Sequence, residues 1–321
     1  MYKRQLKGHV VNYGSNINQK IRLVGATPIE VGTVTVAEPY QLRHAITEKT
    51  CAALWVVSHH TVQSGLLSLQ TFIKLCHEKN VPVIVDAASE YDLKIFIDMG
   101  ADVVLYSGHK FLSGPTSGIV AGKTDLIKAA YMHQSSGIGR AMKAGKESVV
   151  GAIAALERWG QLDHKILHEK EYSNLIKIWN GLSKITGLCL KKIPDPTGNP
   201  ITRIKVSIDA HASSLEIGEL CQALLHGNPT IVVRDHHINL GFFEIDPCNM
   251  KPGDPEAIIL RFQELESLLE KNNSMSSIKD ILGPRLSSYD IKDIPMVDTG
   301  KVPWTNDCRR EREESHTGWP G

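Results

Sequence analysis

Between residues 31 and 132, short runs of β-branched and aliphatic residues alternate with segments of helical period. Few chains can fold that way except as a sheet of mostly parallel strands covered by helices. Val31–Val36, Ala52–Val57, Val83–Val85, Asp102–Tyr106 and Ile119–Ala121 read as strands. Pro39–Thr47 reads as a helix opened by proline, and Leu69, Phe72, Ile73, Leu75 and Cys76 fall on one face of a second helix that ends near Asn80. Further helices are expected around Leu93–Met99 and Leu126–Met132. Such an α/β sheet binds ligands beyond the carboxyl ends of its strands. The functional residues are therefore expected just after Val57, Val85 and Tyr106.

A long helical stretch is expected from Lys146 to Leu182, and beyond the turn-like Pro194–Pro200 the rhythm changes. Arg203–Ile208, Ile231–Arg234 and Leu240–Ile245 read as strands, and Ser214–Leu225 and Pro255–Leu269 as helices. The expected organisation is a large domain over 1–180, a smaller α+β domain over 181–283 and a polar tail over 284–321. With 36 basic against 35 acidic residues, the +1 net charge excludes a broadly basic nucleic-acid coat. Six scattered cysteines form no CxxC pair and fit a reducing compartment. No apolar segment follows the charged N-terminus, and no apolar run approaches the length of a membrane span, so a cytoplasmic location is expected.

Three strand ends carry polar clusters: Ser58-His59-His60-Thr61, Asp86-Ala87-Ala88-Ser89-Glu90 and Ser107-Gly108-His109-Lys110. Alone, Asp86 reads equally as a helix cap and Lys110 as a solvated side chain. Together, an aspartate closing one strand and a lysine 24 positions later, after the next strand, suit a pyridoxal 5′-phosphate (PLP) site. There the lysine forms a Schiff base and the carboxylate pairs with the pyridinium nitrogen.

PVIVDAASE followed by DVVLYSGHKFLSGPTSGIVAG resembles the large domain of fold-type I PLP enzymes. With GIGRAMKAGKESVVGAIAALERW, IVVRDHHINLGFFEIDP and GDPEAIILRF, the stretch from about Asn12 to Leu269 resembles their selenocysteine-synthase-like group, and within it the D-glucosaminate-6-phosphate ammonia-lyase branch. The resemblance implies PLP as cofactor and Lys110 and Asp86 as catalytic residues. Ala88 would be small enough for the ring to lie flat against it, Ser107 would donate to the cofactor phosphate, His109 would stack on or hydrogen-bond the cofactor, and His60 would line the pocket. It implies β-elimination from a phosphorylated amino sugar acid, releasing ammonia, by a homodimer or larger assembly. Arg234 is the candidate for the substrate carboxylate, with a structural ion pair as its alternative. Arg140, Lys143 and Lys146 are candidates for the substrate phosphate, with a solvated helix start as theirs. A seryl-tRNA selenium transferase, another fold-type I transferase or a non-catalytic fragment are the rival readings. Family members carry a further N-terminal segment with the turn that cradles the cofactor phosphate, and the chain is expected to be truncated relative to them. The doublets His59-His60 and His236-His237 are not expected to bind metal, since neighbouring side chains in a strand point to opposite faces.

Overall fold

The computed structural model describes residues 2–11, 16–209 and 216–271, so the tail expected at 284–321 lies outside the described residues. Its first element was not expected. Tyr2–Leu6 is a strand, β1, although its sequence YKRQL is mostly polar. After it come α1 (Ile17–Leu23), β2 (Thr27–Val31), α2 (Pro39–Ala45) and β3 (Thr50–Val56). Then follow α3 (Leu69–His77), β4 (Val83–Asp86), α4 (Ile95–Asp98), β5 (Val103–Ser107) and β6 (Gly118–Gly122). The chain continues through α5 (Thr124–Ser136), α6 (Lys146–Gln161), α7 (His164–Leu182), β7 (Leu188–Pro194) and β8 (Thr202–Ile208), and closes with α8 (Ile217–Leu225), β9 (Phe242–Ile245) and α9 (Asp254–Lys271).

The main sheet has the order β2-β1-β3-β4-β5-β6, parallel except for the antiparallel outer strand β6. Leu6, Ala53, Val83, Val85 and Val104 are buried in it against Leu42 of α2 and Phe72, Leu75 and Cys76 of α3. That core is the packed α/β layer expected from the alternating pattern. Within β1 the polar side chains find backbone partners: the Arg4 Nε donates to the Ala45 carbonyl, and the Gln5 amide donates to the His9 carbonyl at 2.7 Å. These bonds satisfy part of the buried polar strand; Arg4 Nη1 and Gln5 Oε1 are buried without a hydrogen-bond partner.

Three local expectations are corrected. The strand placed at Val31–Val36 lies earlier, at Thr27–Val31, because Gly32 takes φ +77° and the Thr33 N–H closes a turn onto the Val36 carbonyl at 2.8 Å. The long helix breaks into α6 and α7, where the Asp163 carboxylate accepts the N–H groups of Lys165 and Ile166 and caps the second helix. Ile231–Arg234 is no strand, only a single bridge between Arg234 and Glu244.

The described chain divides into two units. One contains Met1–Lys177, Lys191–Ile204 and Asp246–Pro252, and the other Ile178–Leu190, Lys205–Ile245 and the chain from 253 onward. The second unit buries Val206, Leu220, Leu224, Phe243 and Phe262, and Arg261 of α9 donates to the Ala223 carbonyl of α8 at 3.1 Å. A second sheet has the order β7-β8-β9.

At the amino ends of β4 and β5 one carboxylate ties four segments together. Asp102, 3% exposed, accepts the Val83 N–H at 2.6 Å, meets His77 Nε2 at 2.8 Å and pairs with Lys123 Nζ at 2.6 Å. Asp102→Ala is expected to lower stability by about 2 kcal/mol, mainly by leaving the buried Val83 N–H without an acceptor. The shift of the urea unfolding midpoint measures it.

Candidate active site

The carboxyl ends of β3, β4 and β5 lie side by side. Val56 pairs with Asp86 and Asp86 with Leu105. Beyond the strands the ladder continues: Val57 N–H donates to the Asp86 carbonyl at 2.8 Å, Ala87 N–H to that of Leu105 at 2.9 Å and Ser107 N–H to that of Ala88 at 3.2 Å. Asp86, Ala88 and Ser107 are thereby held on adjacent strand ends. The chain then turns tightly. Gly108 N–H donates to the Ser117 carbonyl and Gly114 N–H to the Gly108 carbonyl, at 2.9 and 2.7 Å. A Cβ on residue 108 would stand 2.0 Å from Ser117 Oγ, so a larger residue there would require the Ser117 hydroxyl to move. The turn places Lys110, whose ammonium donates to Ser89 Oγ at 2.5 Å.

Burial favours the neutral form of both key groups. It pushes Asp86 above the usual carboxylate range, against the Ala88 N–H and the charges of Lys110 and Lys3. It lowers the Lys110 ammonium below the usual lysine range, against Asp86 and Glu90. The Asp86 Oδ1 accepts the Ala88 N–H at 3.2 Å, and Oδ2 remains for a cationic partner. A lysine with a lowered pKa beside a half-buried carboxylate is a nucleophilic amine with an acid–base neighbour.

The other expected residues are placed less closely. His109 is exposed on the turn beside Lys110, and His60 is exposed just past β3. The argument that His59 and His60 point to opposite faces of a strand is overturned: both lie in a turn, with ring centroids 3.9 Å apart. Arg140 is in a 3-10 turn at Ile138–Met142, Lys143 follows it, and Lys146 opens α6; all three are exposed. Arg140 donates to the Ser135 carbonyl at 3.2 Å. Arg234 lies in the second unit, its Nε 3.5 Å from Glu244 Oε2. Cys248 is a poor nucleophile, since burial and the Asp246 carboxylate push its thiol upward.

A sequence profile of the Cys/Met metabolism PLP-dependent enzymes matches residues 9–150, which contain the whole Asp86–Lys110 arrangement. The D-glucosaminate-6-phosphate ammonia lyase of Salmonella typhimurium is 38% identical over 260 residues, 81% of this chain and 69% of the relative. The chain belongs to the PLP-dependent enzymes of fold type I. Within these enzymes it is also similar to the 5′-C-glycyluridine monooxygenase-decarboxylase of a Streptomyces species, 34% identical over 85% of this chain and 68% of that one. A solved D-glucosaminate-6-phosphate ammonia-lyase structure superposes with a TM-score of 0.70 at 36% identity, covering 83% of this chain and 71% of the other. The residues present fit the PLP of this family. Lys110 offers the amine, Asp86 Oδ2 faces no competing hydrogen bond from the Ala88 N–H, and Ala88 has no bulk to obstruct a flat ring.

Several residues of this PLP-enzyme site carry no recognisable signal of their own in the sequence. Ser89 and Glu90 stand inside the motif after β4, yet their contacts with Lys110 and with the Asp195–Asn199 loop depend on the fold. Lys3 of β1, whose ammonium burial lowers, acts on Asp86 from a strand that reads as a polar terminus. A polar residue immediately after a strand end was the one cue available for Ser89 and Glu90.

Proposed function

We propose that this chain is an ammonia-releasing lyase acting by β-elimination on a phosphorylated amino sugar acid such as D-glucosaminate 6-phosphate, as a cytoplasmic homodimer. The observation that carries the reading is the Lys110 amine set beside Ser89 and Asp86 on strand ends of a chain 38% identical to an enzyme of that name. Bound PLP supplies an electron sink for negative charge at the substrate Cα. Asp86 holds the ring nitrogen as its cationic partner. Lys110, with its ammonium destabilised, moves the Cα proton as the general base. Loss of that proton and of the β-hydroxyl, followed by hydrolysis at the amino-bearing carbon, leaves ammonia and a 2-keto acid. Ser107 meets the cofactor phosphate, and His109 and His60 line the pocket. Arg234 binds the substrate carboxylate, and Arg140, Lys143 and Lys146 receive the substrate phosphate. No described helix is long and apolar enough to cross a membrane.

The reading is tested by ammonia release from D-glucosaminate 6-phosphate with PLP added. Turnover supports it, and its absence in protein that binds PLP overturns the substrate assignment. Arg234→Ala is expected to raise KM by about tenfold or more, the loss of one charge-assisted hydrogen bond, with little change in kcat. An unchanged KM removes Arg234 from the carboxylate site.

A further inference from the structure

Glu90 is 6% exposed and lies two residues beyond Ala88, in the turn that brings Ser89 to Lys110. Its surroundings are crowded with charge. Lys110 acts on it from the turn after β5 and Tyr106 lies within its field on β5, while Asp195 and Asn199 face it from the loop between β7 and β8. Behind Asp195 stand Arg203, 2.6 Å from Asp195 Oδ2, and Asp246, 2.7 Å from the other side of the same guanidinium.

The Thr197 hydroxyl sits between the two carboxyl groups, 2.7 Å from Asp195 Oδ1 and 3.1 Å from Glu90 Oε1. It has one hydrogen to give. The Asn199 amide already donates to the same oxygen at 3.1 Å, using one of its two lone pairs and leaving one. The shorter contact takes the Thr197 hydrogen, because Asp195 is fixed as an anion by Arg203. The contact with Glu90 is then a hydrogen bond only if Glu90 carries a proton and donates it to Thr197 Oγ1.

We propose that Glu90 is a proton-holding positioning residue for Lys110: buried and facing the fixed Asp195 anion across Thr197, it stays neutral and leaves the amine free of a second fixed carboxylate. This rests on the reading of Lys110 as the cofactor lysine. A charged Glu90 would stabilise the ammonium and withdraw the amine from reaction. Burial and the charge of Asp195 outweigh the Thr197 and Asn199 contacts and Lys110, and push the Glu90 carboxyl up to about 7. Ionisation of Glu90 just above neutrality therefore acts as a brake on Lys110.

Glu90→Gln keeps the shape and the donor to Thr197 but cannot ionise. In cofactor-free protein at about pH 8, trinitrobenzenesulfonate should label Lys110 about threefold faster in E90Q than in wild type, the change produced by half a pKa unit of the amine. The ratio should fall to one below about pH 6, where Glu90 is neutral in both. A constant ratio across that range, or no difference at pH 8, overturns the coupling to Lys110. A second measurement needs no variant: in wild-type protein the Glu90 carboxyl carbon should titrate near pH 7 by NMR, and a midpoint in the ordinary range near pH 4.5 overturns the protonated state. Both readouts use protein without cofactor. Failure to bind PLP would remove the lyase reading and leave them standing, and a failed titration would leave PLP binding untouched.

Discussion

Lys110→Ala is expected to abolish covalent attachment of PLP and to lower ammonia release by at least about a thousandfold, within the range seen when a group serving proton transfer is removed. The size of the effect follows from geometry. The Lys110 amine is placed by the Gly108 turn and by Ser89 Oγ at 2.5 Å, and burial has already lowered its pKa. Reduction with borohydride and peptide mapping should fix PLP on Lys110 in the wild type and on no residue of that peptide in the variant. Residue 110 is exposed, so the unfolding midpoint should be nearly unchanged. Retention of PLP on another lysine, with activity intact, would remove Lys110 from its role.

The largest expected loss of stability comes from Arg203→Ala. The guanidinium is 5% exposed and lies between Asp195, also 5% exposed, and Asp246. Removing it leaves two carboxylates together with no cation, a change that costs about 3 to 5 kcal/mol when a buried pair is broken from one side. Arg203→Met at the same position should cost as much, because the missing element is charge and not volume. The pH dependence has a defined sign. Burial opposes ionisation of Asp195, but Thr197 and Arg203 outweigh it and hold the carboxyl below its usual range. For Asp246, Arg203 and the Cys248 N–H likewise outweigh burial. Both carboxyl groups bind protons more weakly folded than unfolded. Their contribution is complete above the unfolded value of 3.8 and is lost as the pH falls through and below it. Acid unfolding of the wild type should therefore steepen below about pH 4, and that limb should flatten in Arg203→Ala. An unfolding midpoint within experimental error of the wild type would show the triad to be dispensable.

The centre of the main sheet and the chemistry at its carboxyl end were legible along the chain. Runs such as Ala52–Val57 and Val83–Val85 are apolar because helices cover both faces of their strands, and this makes them conspicuous in the sequence. Once β4 and β5 are parallel neighbours, Asp86 and the turn bearing Lys110 must emerge at the same end, so a 24-residue spacing becomes a spatial relation. Strand β1 could not be read this way. Lys3, Arg4 and Gln5 violate the apolar pattern, and the bonds of Arg4 to Ala45 and of Gln5 to His9 that offset part of the cost of burial form only on folding. Only folding brings Glu90 to Thr197, 107 positions away. A buried carboxyl, a hydroxyl with one hydrogen and an ion-paired aspartate have no pattern along a chain. Their protonation is settled only when the fold counts the donors among them.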